Sequence, residues 1–346
     1  MSGPRFRLCP SDILEGDAAR DALARGTALP LAGGPLAFAA VEAIARDGTS
    51  RFLTIGEAQD EVEELQRIAA PRADWAGFKL GCPLIVGVLN VTPDSFSDGG
   101  AFLDPARAVA HGEAMIEAGA DIVDIGGEST RPGATPVAVD EELRRIVPVV
   151  GELARRVAVS VDTRHARVMR EAVALGARIV NDVSALTHDP KSMSFAARSG
   201  AGLVLMHMRG EPETMQRAPR YDNVALDVLE YLEARIAACE AAGIPRSRIL
   251  VDPGIGFGKG PIEHNLPLIR RLALLHATGC GILVGLSRKT FIGLLGRNKA
   301  PQDRLAGSIA GALWAASHGV QALRVHDVAE TRQALAVRGA IVAGVS

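Results

Sequence analysis

The chain has 346 residues and a formal net charge of −2, a balance that argues against a broadly basic nucleic-acid-binding surface while allowing local anion sites. Hydrophobic residues make up 48% and aromatic residues only 4%, so a large core must be aliphatic and rich in alanine. Cys9, Cys82, Cys239 and Cys280 lie far apart without CxxC spacing, which disfavours a disulfide framework or zinc site and favours buried free thiols.

The chain begins MSGPRFRLCPSDILEGD, with charges where a signal peptide needs an apolar stretch. No run approaches the roughly 20 apolar residues that cross a bilayer, so neither a membrane nor a nucleic acid is expected as partner, and a cytoplasmic enzyme is. Residues 1–82 hold short apolar pieces at 6–9, 29–31 and 52–55. Helical patterns fall at 18–25, 36–46 and 58–69, and 72–81 reads as a connector. This predicts a small N-terminal α/β extension without a catalytic constellation.

From residue 83 the pattern changes. Apolar runs at 84–89, 121–125, 157–161, 178–180, 202–206, 249–251, 281–286 and 320–325 each end in polar or glycine-rich residues. Parallel strands buried on both faces read in this way. Amphipathic stretches of helical length follow at 105–118, 140–156, 164–175, 190–199, 224–242, 262–275, 302–318 and 328–342. The first opens behind Asp104 as N-cap, with Pro105 at the first helical position. Eight strands alternating with eight helices over 83–346 predict an α/β fold, the TIM (β/α)8 barrel. An open doubly wound sheet would need fewer strands and one switch point.

Active sites of such barrels gather at the C-terminal ends of the strands. The first of these ends carries Asn90, Thr92, Asp94, Ser95, Ser97 and Asp98 beside Pro93. A solvated turn would use the same residues, but long loops on this face are commonly functional. The Asn90 amide oxygen suits Mg²⁺ whose other positions are filled by substrate phosphates. The second end carries Ser129-Thr130-Arg131-Pro132, and loop arginine suits bidentate phosphate capture as well as a surface salt bridge.

Asp162, Asn181, Asp252 and Lys289 end the third, fourth, sixth and seventh strands and should converge on one pocket. Two carboxylates, an amide and an ammonium suit a flat heterocycle presenting an amino–imino edge, although Asp162 could instead cap the next helix. Lys289 can pair with Asp252 and keep it ionised. Ser287, two residues earlier, should face similarly and meet a substrate carboxylate. Arg324 and His326 share that period-two relation and suggest an anion site. The run 252–260 lacks the GxxxxGK[ST] spacing of a nucleotide cradle. It reads as a glycine-flexed loop that presents Phe257 as a flat packing surface.

Together, residues 87–100, 124–133, 160–163, 181–183, 206–208 with Met215-Gln216, 252–259, 287–289 and 324–328 resemble the dihydropteroate synthases of the folate pathway. The resemblance covers the whole barrel. It implies a transferase that joins 6-hydroxymethyl-7,8-dihydropterin diphosphate to p-aminobenzoate, releasing diphosphate, with Mg²⁺, a homodimer and inhibition by sulfonamides. It also implies a pterin pocket of Asp162, Asn181, Asp252 and Lys289. Asn90 through the metal, Arg131, Arg324 and His326 would hold the diphosphate. Thr130, Pro132, Phe257 and Ser287 would frame p-aminobenzoate, with Phe96 joining when the first loop closes. The catalytic set would be Asp162, Lys289, Arg131, Arg324 and His326. The first 82 residues exceed the usual start of this family, and Gly260-Pro261 lengthens a loop. A pterin-dependent methyltransferase would not need the diphosphate clasp, and a non-catalytic pterin-binding barrel would keep the pocket without the reaction.

Overall fold

The computed structural model describes residues 6–92, 104–130, 133–211, 214–297 and 299–343. The N-terminal part is an antiparallel sheet of β1 (Arg7–Leu14), β2 (Leu29–Pro30), β3 (Ala37–Ile44) and β4 (Ser50–Thr54), with β3 central. This corrects the helix expected at 36–46. Its sequence AFAAVEAI is alanine-rich, but β3 pairs with β1 along one edge and with β2 and β4 along the other. Pairing and burial override a weak local preference. Helices do form at Gly16–Ala24 and Val62–Ala69. Ion pairs fasten this layer to the rest of the chain. Arg7 donates to Glu64 and Glu233, and Arg271 grips the Glu42 carboxylate at 3.0 and 2.7 Å.

Eight parallel strands follow: β5 (Leu84–Asn90), β6 (Ile122–Gly126), β7 (Ala158–Asp162), β8 (Ile179–Asp182), β9 (Gly202–Met206), β10 (Ile249–Asp252), β11 (Gly281–Val284) and β12 (Ala322–Val325). They pair in chain order, and β12 pairs with β5 to close the barrel, which excludes the open sheet. Asp104 caps the helix Pro105–Glu117 as expected, its Oδ1 accepting from the Ala106 amide at 2.9 Å. One covering segment departs from expectation. Within 262–275 only Asn265–Arg270 is α-helical, and Leu272–Thr278 continues as a tighter 3₁₀ turn. That turn is buried throughout, packed against β1 and the Val62–Ala69 helix. A short helix at Thr290–Leu295 was not foreseen.

The connector before β5 closes the lower mouth of the barrel. Trp75 is 1% exposed and caps the inward-facing Val86, Ile122, Ile179 and Val204. Its indole N–H donates to the Arg248 carbonyl at 3.0 Å, giving the polar tip of a buried tryptophan its partner. Arg72 fixes the connector by donating to the carbonyls of Cys280 and His276, each at 3.0 Å. Cys9, Cys239 and Cys280 are buried free thiols, whereas Cys82, in the turn ahead of β5, is exposed, which corrects that expectation. Among the described residues no helix is long and apolar enough to cross a membrane.

Candidate active site

All eight strands run the same way, so their polar ends rise on one face. Asp162 and Asn181 are register partners on β7 and β8, and Gly126 of β6 pairs with Asp162. Beside them the buried Asp124 points inward from β6, and Arg324 reaches across from β12. The Arg324 guanidinium donates through Nε to Asp124 Oδ2 at 2.6 Å and through Nη2 to Asp162 Oδ2 at 2.8 Å. The Asn181 amide donates to the same Asp124 oxygen at 3.1 Å. Four strands therefore contribute to one buried network. Among the described residues, Asp124 Oδ1 and Asp162 Oδ1 accept no hydrogen bond, and buried acceptors rarely go without a donor.

Burial pushes the Asp162 carboxyl above its ordinary range, Arg324 opposes that rise, and the nearby Asp124 charge adds to it. The Arg324 guanidinium is shifted upward: burial disfavours its charge, but Asp124 and Asp162 prevail. Asp252, on β10, accepts from the Gly254 amide at 2.7 Å. Its carboxyl is raised because burial outweighs that hydrogen bond and the Lys289 charge. The Lys289 charge acts in the direction expected of a partner that favours the ionised carboxylate, but burial is the larger influence. Lys289 stands with its Nζ 4.5 Å from the centroid of the Phe257 ring, a cation–π contact that joins a residue expected at the pterin to one expected at p-aminobenzoate.

Ser287 and His326 also meet. The Ser287 hydroxyl lies 3.0 Å from His326 Nδ1 and accepts from the His326 amide at 3.2 Å. Ser287, buried, thus also braces the histidine. Arg324, expected with His326 as part of an anion site, binds the Asp124 and Asp162 carboxylates. Asn90 ends β5, half-buried, and Thr130 is half-buried in the second loop. Arg131, Pro132 and Phe96 lie outside the described residues. The second loop is clamped at its root: Arg164 donates to both Glu128 oxygens at 3.2 and 3.3 Å, and Arg145 donates to the Gly127 carbonyl at 2.8 Å.

Sequence reasoning missed Asp124 as a site residue. The available signal was a carboxylate inside an apolar strand run, where an ionisable group needs a partner.

A family model described as pterin binding enzyme matches residues 86–326. The dihydropteroate synthase of Escherichia coli K12 is 49% identical over 77% of this chain and 94% of that protein. That of Neisseria meningitidis serogroup B is 47% identical over 75% and 94%. Among solved structures, Xanthomonas albilineans dihydropteroate synthase with 4-aminobenzoic acid superposes with a TM-score of 0.74 at 48% identity, covering 80% of this chain and 99% of that one. The Yersinia pestis enzyme with a sulfonamide drug complex gives 0.73 at 45%, over 77% and 97%. A closed barrel whose upper mouth holds a buried acid, amide and guanidinium network, matched by that family model, has the architecture of a pterin-binding enzyme. The chain belongs to the dihydropteroate synthases, the transferases of folate biosynthesis that form 7,8-dihydropteroate from 6-hydroxymethyl-7,8-dihydropterin diphosphate and p-aminobenzoate.

Proposed function

We propose that the wall of Asp124, Asp162, Asn181, Asp252 and Lys289 holds the pterin ring, and that the rim carries out the exchange of diphosphate for p-aminobenzoate. The observation that carries this reading is the pair of buried carboxylate oxygens, on Asp124 and Asp162, left without donors among the described residues. The N–H groups of an aminopyrimidine edge supply those donors. A bare apolar mouth, or one with every acceptor satisfied, would not favour such a ligand.

Among the described residues no group of three His, Cys, Asp or Glu side chains could hold a metal ion. A single amide oxygen, that of Asn90, suits Mg²⁺ that takes its remaining oxygens from diphosphate and water. The residues therefore fit an ion that arrives with the substrate. When bound, it neutralises negative charge on the diphosphate. Arg131 and His326 bind the departing oxygens, with Ser287 orienting the histidine. Arg324, shared by Asp124 and Asp162, adds a positive field near them. As the carbon–oxygen bond breaks, the pterin methylene becomes electron-poor, and the ionised Asp162 stabilises that charge electrostatically. The arylamine is neutral near pH 7, so Thr130, Pro132 and Phe257 need only position it. Exclusion of water, the competing nucleophile, is assigned to the first two loops, of which 93–103, with Phe96, and 131–132 lie outside the described residues.

The same reading includes a homodimer. Leu295, Trp314 and Ile341 are 63%, 44% and 76% exposed on the helices Thr290–Leu295, Leu305–Ser317 and Val328–Ala343, and large apolar side chains left in water are available to a symmetric interface.

Purified protein given both substrates and Mg²⁺ should release diphosphate only when p-aminobenzoate is present, and sulfonamides should compete with p-aminobenzoate. Methyl transfer without diphosphate release would favour the methyltransferase alternative, and pterin binding without turnover the non-catalytic one. Arg131→Ala should weaken the diphosphate-bearing pterin by about tenfold or more and free pterin by less than about twofold. Equal losses for the two ligands would refute this division between wall and rim.

A further inference from the structure

We propose that Lys259, which has no exposed surface, is a positioning residue for p-aminobenzoate, acting by pinning the loop that carries Phe257. A lysine normally keeps its ammonium in water even when its stem is covered, yet Lys259 is 0% exposed. Its Nζ lies 2.8 Å from His207 Nδ1, 3.0 Å from the Gly254 carbonyl, 3.1 Å from the Phe257 carbonyl and 3.3 Å from the His207 carbonyl. Gly254 and Phe257 belong to the loop after β10, and His207 follows β9. One buried ammonium therefore joins two loops.

Two side chains from the loop after β9 repeat the pattern. Gln216 Nε2 donates to the Gly256 carbonyl at 2.5 Å, and the Tyr221 hydroxyl donates to the Gly258 carbonyl at 2.7 Å. The carbonyls of Gly254, Gly256, Phe257 and Gly258 are thus each held by a side chain. The loop is also pressed backbone to backbone against its neighbour. Gly254 and Gly258 have φ of +64° and +62°, and a Cβ would fall 2.0 Å from the His207 oxygen or 2.2 Å from the Arg209 oxygen. Only glycine tolerates both the conformation and the approach.

Four acceptors surround a group with at most three N–H bonds, an arrangement that calls for the ammonium form. Burial works against it and draws the Lys259 pKa well below its usual value. His207 remains neutral, its pKa lowered to about 2 by burial and the Lys259 charge, and so can accept at Nδ1. The output of this cradle is the Phe257 ring, placed against Lys289. The inference rests on the reading that Phe257 frames p-aminobenzoate and Lys289 holds the pterin, which puts the ring at the seam between the substrates.

Lys259→Met keeps the buried stem and removes the donor. Removing the donor leaves its four acceptors without that partner and costs stability, so the kinetics are read on protein shown to be folded. The folded variant should raise the KM for p-aminobenzoate about tenfold while the KM for the pterin diphosphate changes by less than about twofold. Tyr221→Phe and Gln216→Met should each move it the same way by about two- to threefold, and their combination further. A merely structural lysine would lower stability and affect both substrates alike, and that result would overturn the proposal. If Lys259→Met does not fold, the double variant decides: a selective rise supports the cradle, and unchanged kinetics overturn it. Phe257→Ala separates the inference from its premise. An unchanged p-aminobenzoate KM in Phe257→Ala refutes the role of the ring, and the inference falls with it. A raised KM there, with normal kinetics in folded Lys259→Met, refutes the positioning role alone.

Discussion

The two mouths of the barrel are built by the same strands and filled with opposite chemistry. On β6, Ile122 packs beneath Trp75 while Asp124, two residues on, enters the charged network. On β8 the pair is Ile179 and Asn181, on β10 Leu250 and Asp252, and on β12 Ala322 and Arg324. Side chains two apart on a strand share a face, so each of these strands lays an apolar residue below and a polar one above in the same interior column. The lower layer excludes water and holds the strands together. The upper layer inherits that dry, fixed scaffold, in which electrostatic interactions are stronger than in water.

The sharpest contrast should come from removing one residue at each mouth. Arg324→Met leaves Asp124 and Asp162 buried without their shared cation, and breaking such a network should cost about 3–5 kcal/mol of stability. Activity should fall by at least about 100-fold as the pterin wall loses its geometry. Trp75→Ala opens a cavity at the other mouth and should cost about 3–5 kcal/mol as well. Below the variant's melting temperature its KM values should stay within about twofold of the parent. Denaturant unfolding and steady-state kinetics read both effects. A Trp75→Ala enzyme with altered KM values, or an Arg324→Met enzyme of parental stability, would break the separation between layers.

The sequence foretells these layers unequally, for physical reasons. Eight apolar runs with polar ends are legible because strands buried on both faces admit little else. Asp124 was hidden because it sits inside such a run, and its importance depends on Arg324 arriving from a strand 200 residues away. Ser287 and Arg324 were assigned to the right face, but their protein partners were not legible, since neighbours across a closed barrel follow from register and side-chain reach. Lys259 read as the end of a flexible loop, because glycines announce backbone freedom without saying what holds the backbone still. Residues 36–46 misled through alanine, whose helical preference is too small to resist pairing on both edges of β3. The connector's Trp75 gave no periodic signal at all, since one side chain suffices to plug the lower mouth.

The smallest effect should appear when protons are added to the upper layer. Burial raises the folded-state pKa of Asp162 above the ordinary aspartate value of 3.8, so between the two values the folded protein binds more protons than the unfolded chain. Stability must then fall as the pH rises through that window, by no more than about 1.4 kcal/mol per pH unit for this one group. Activity should move the other way, because the ionised carboxylate is the form that stabilises the electron-poor methylene. The kcat/KM for the pterin diphosphate reports ionisations of the free enzyme, and its acid limb should lie above the range of an ordinary aspartate. Asp162→Asn removes the titrating group, so its profile should lose that limb while its overall level drops. Over the same interval the stability advantage of the parent over the variant should shrink as the pH increases. An unchanged acid limb in Asp162→Asn would place the titration on another group of the wall, and with it the charge that faces the reacting carbon.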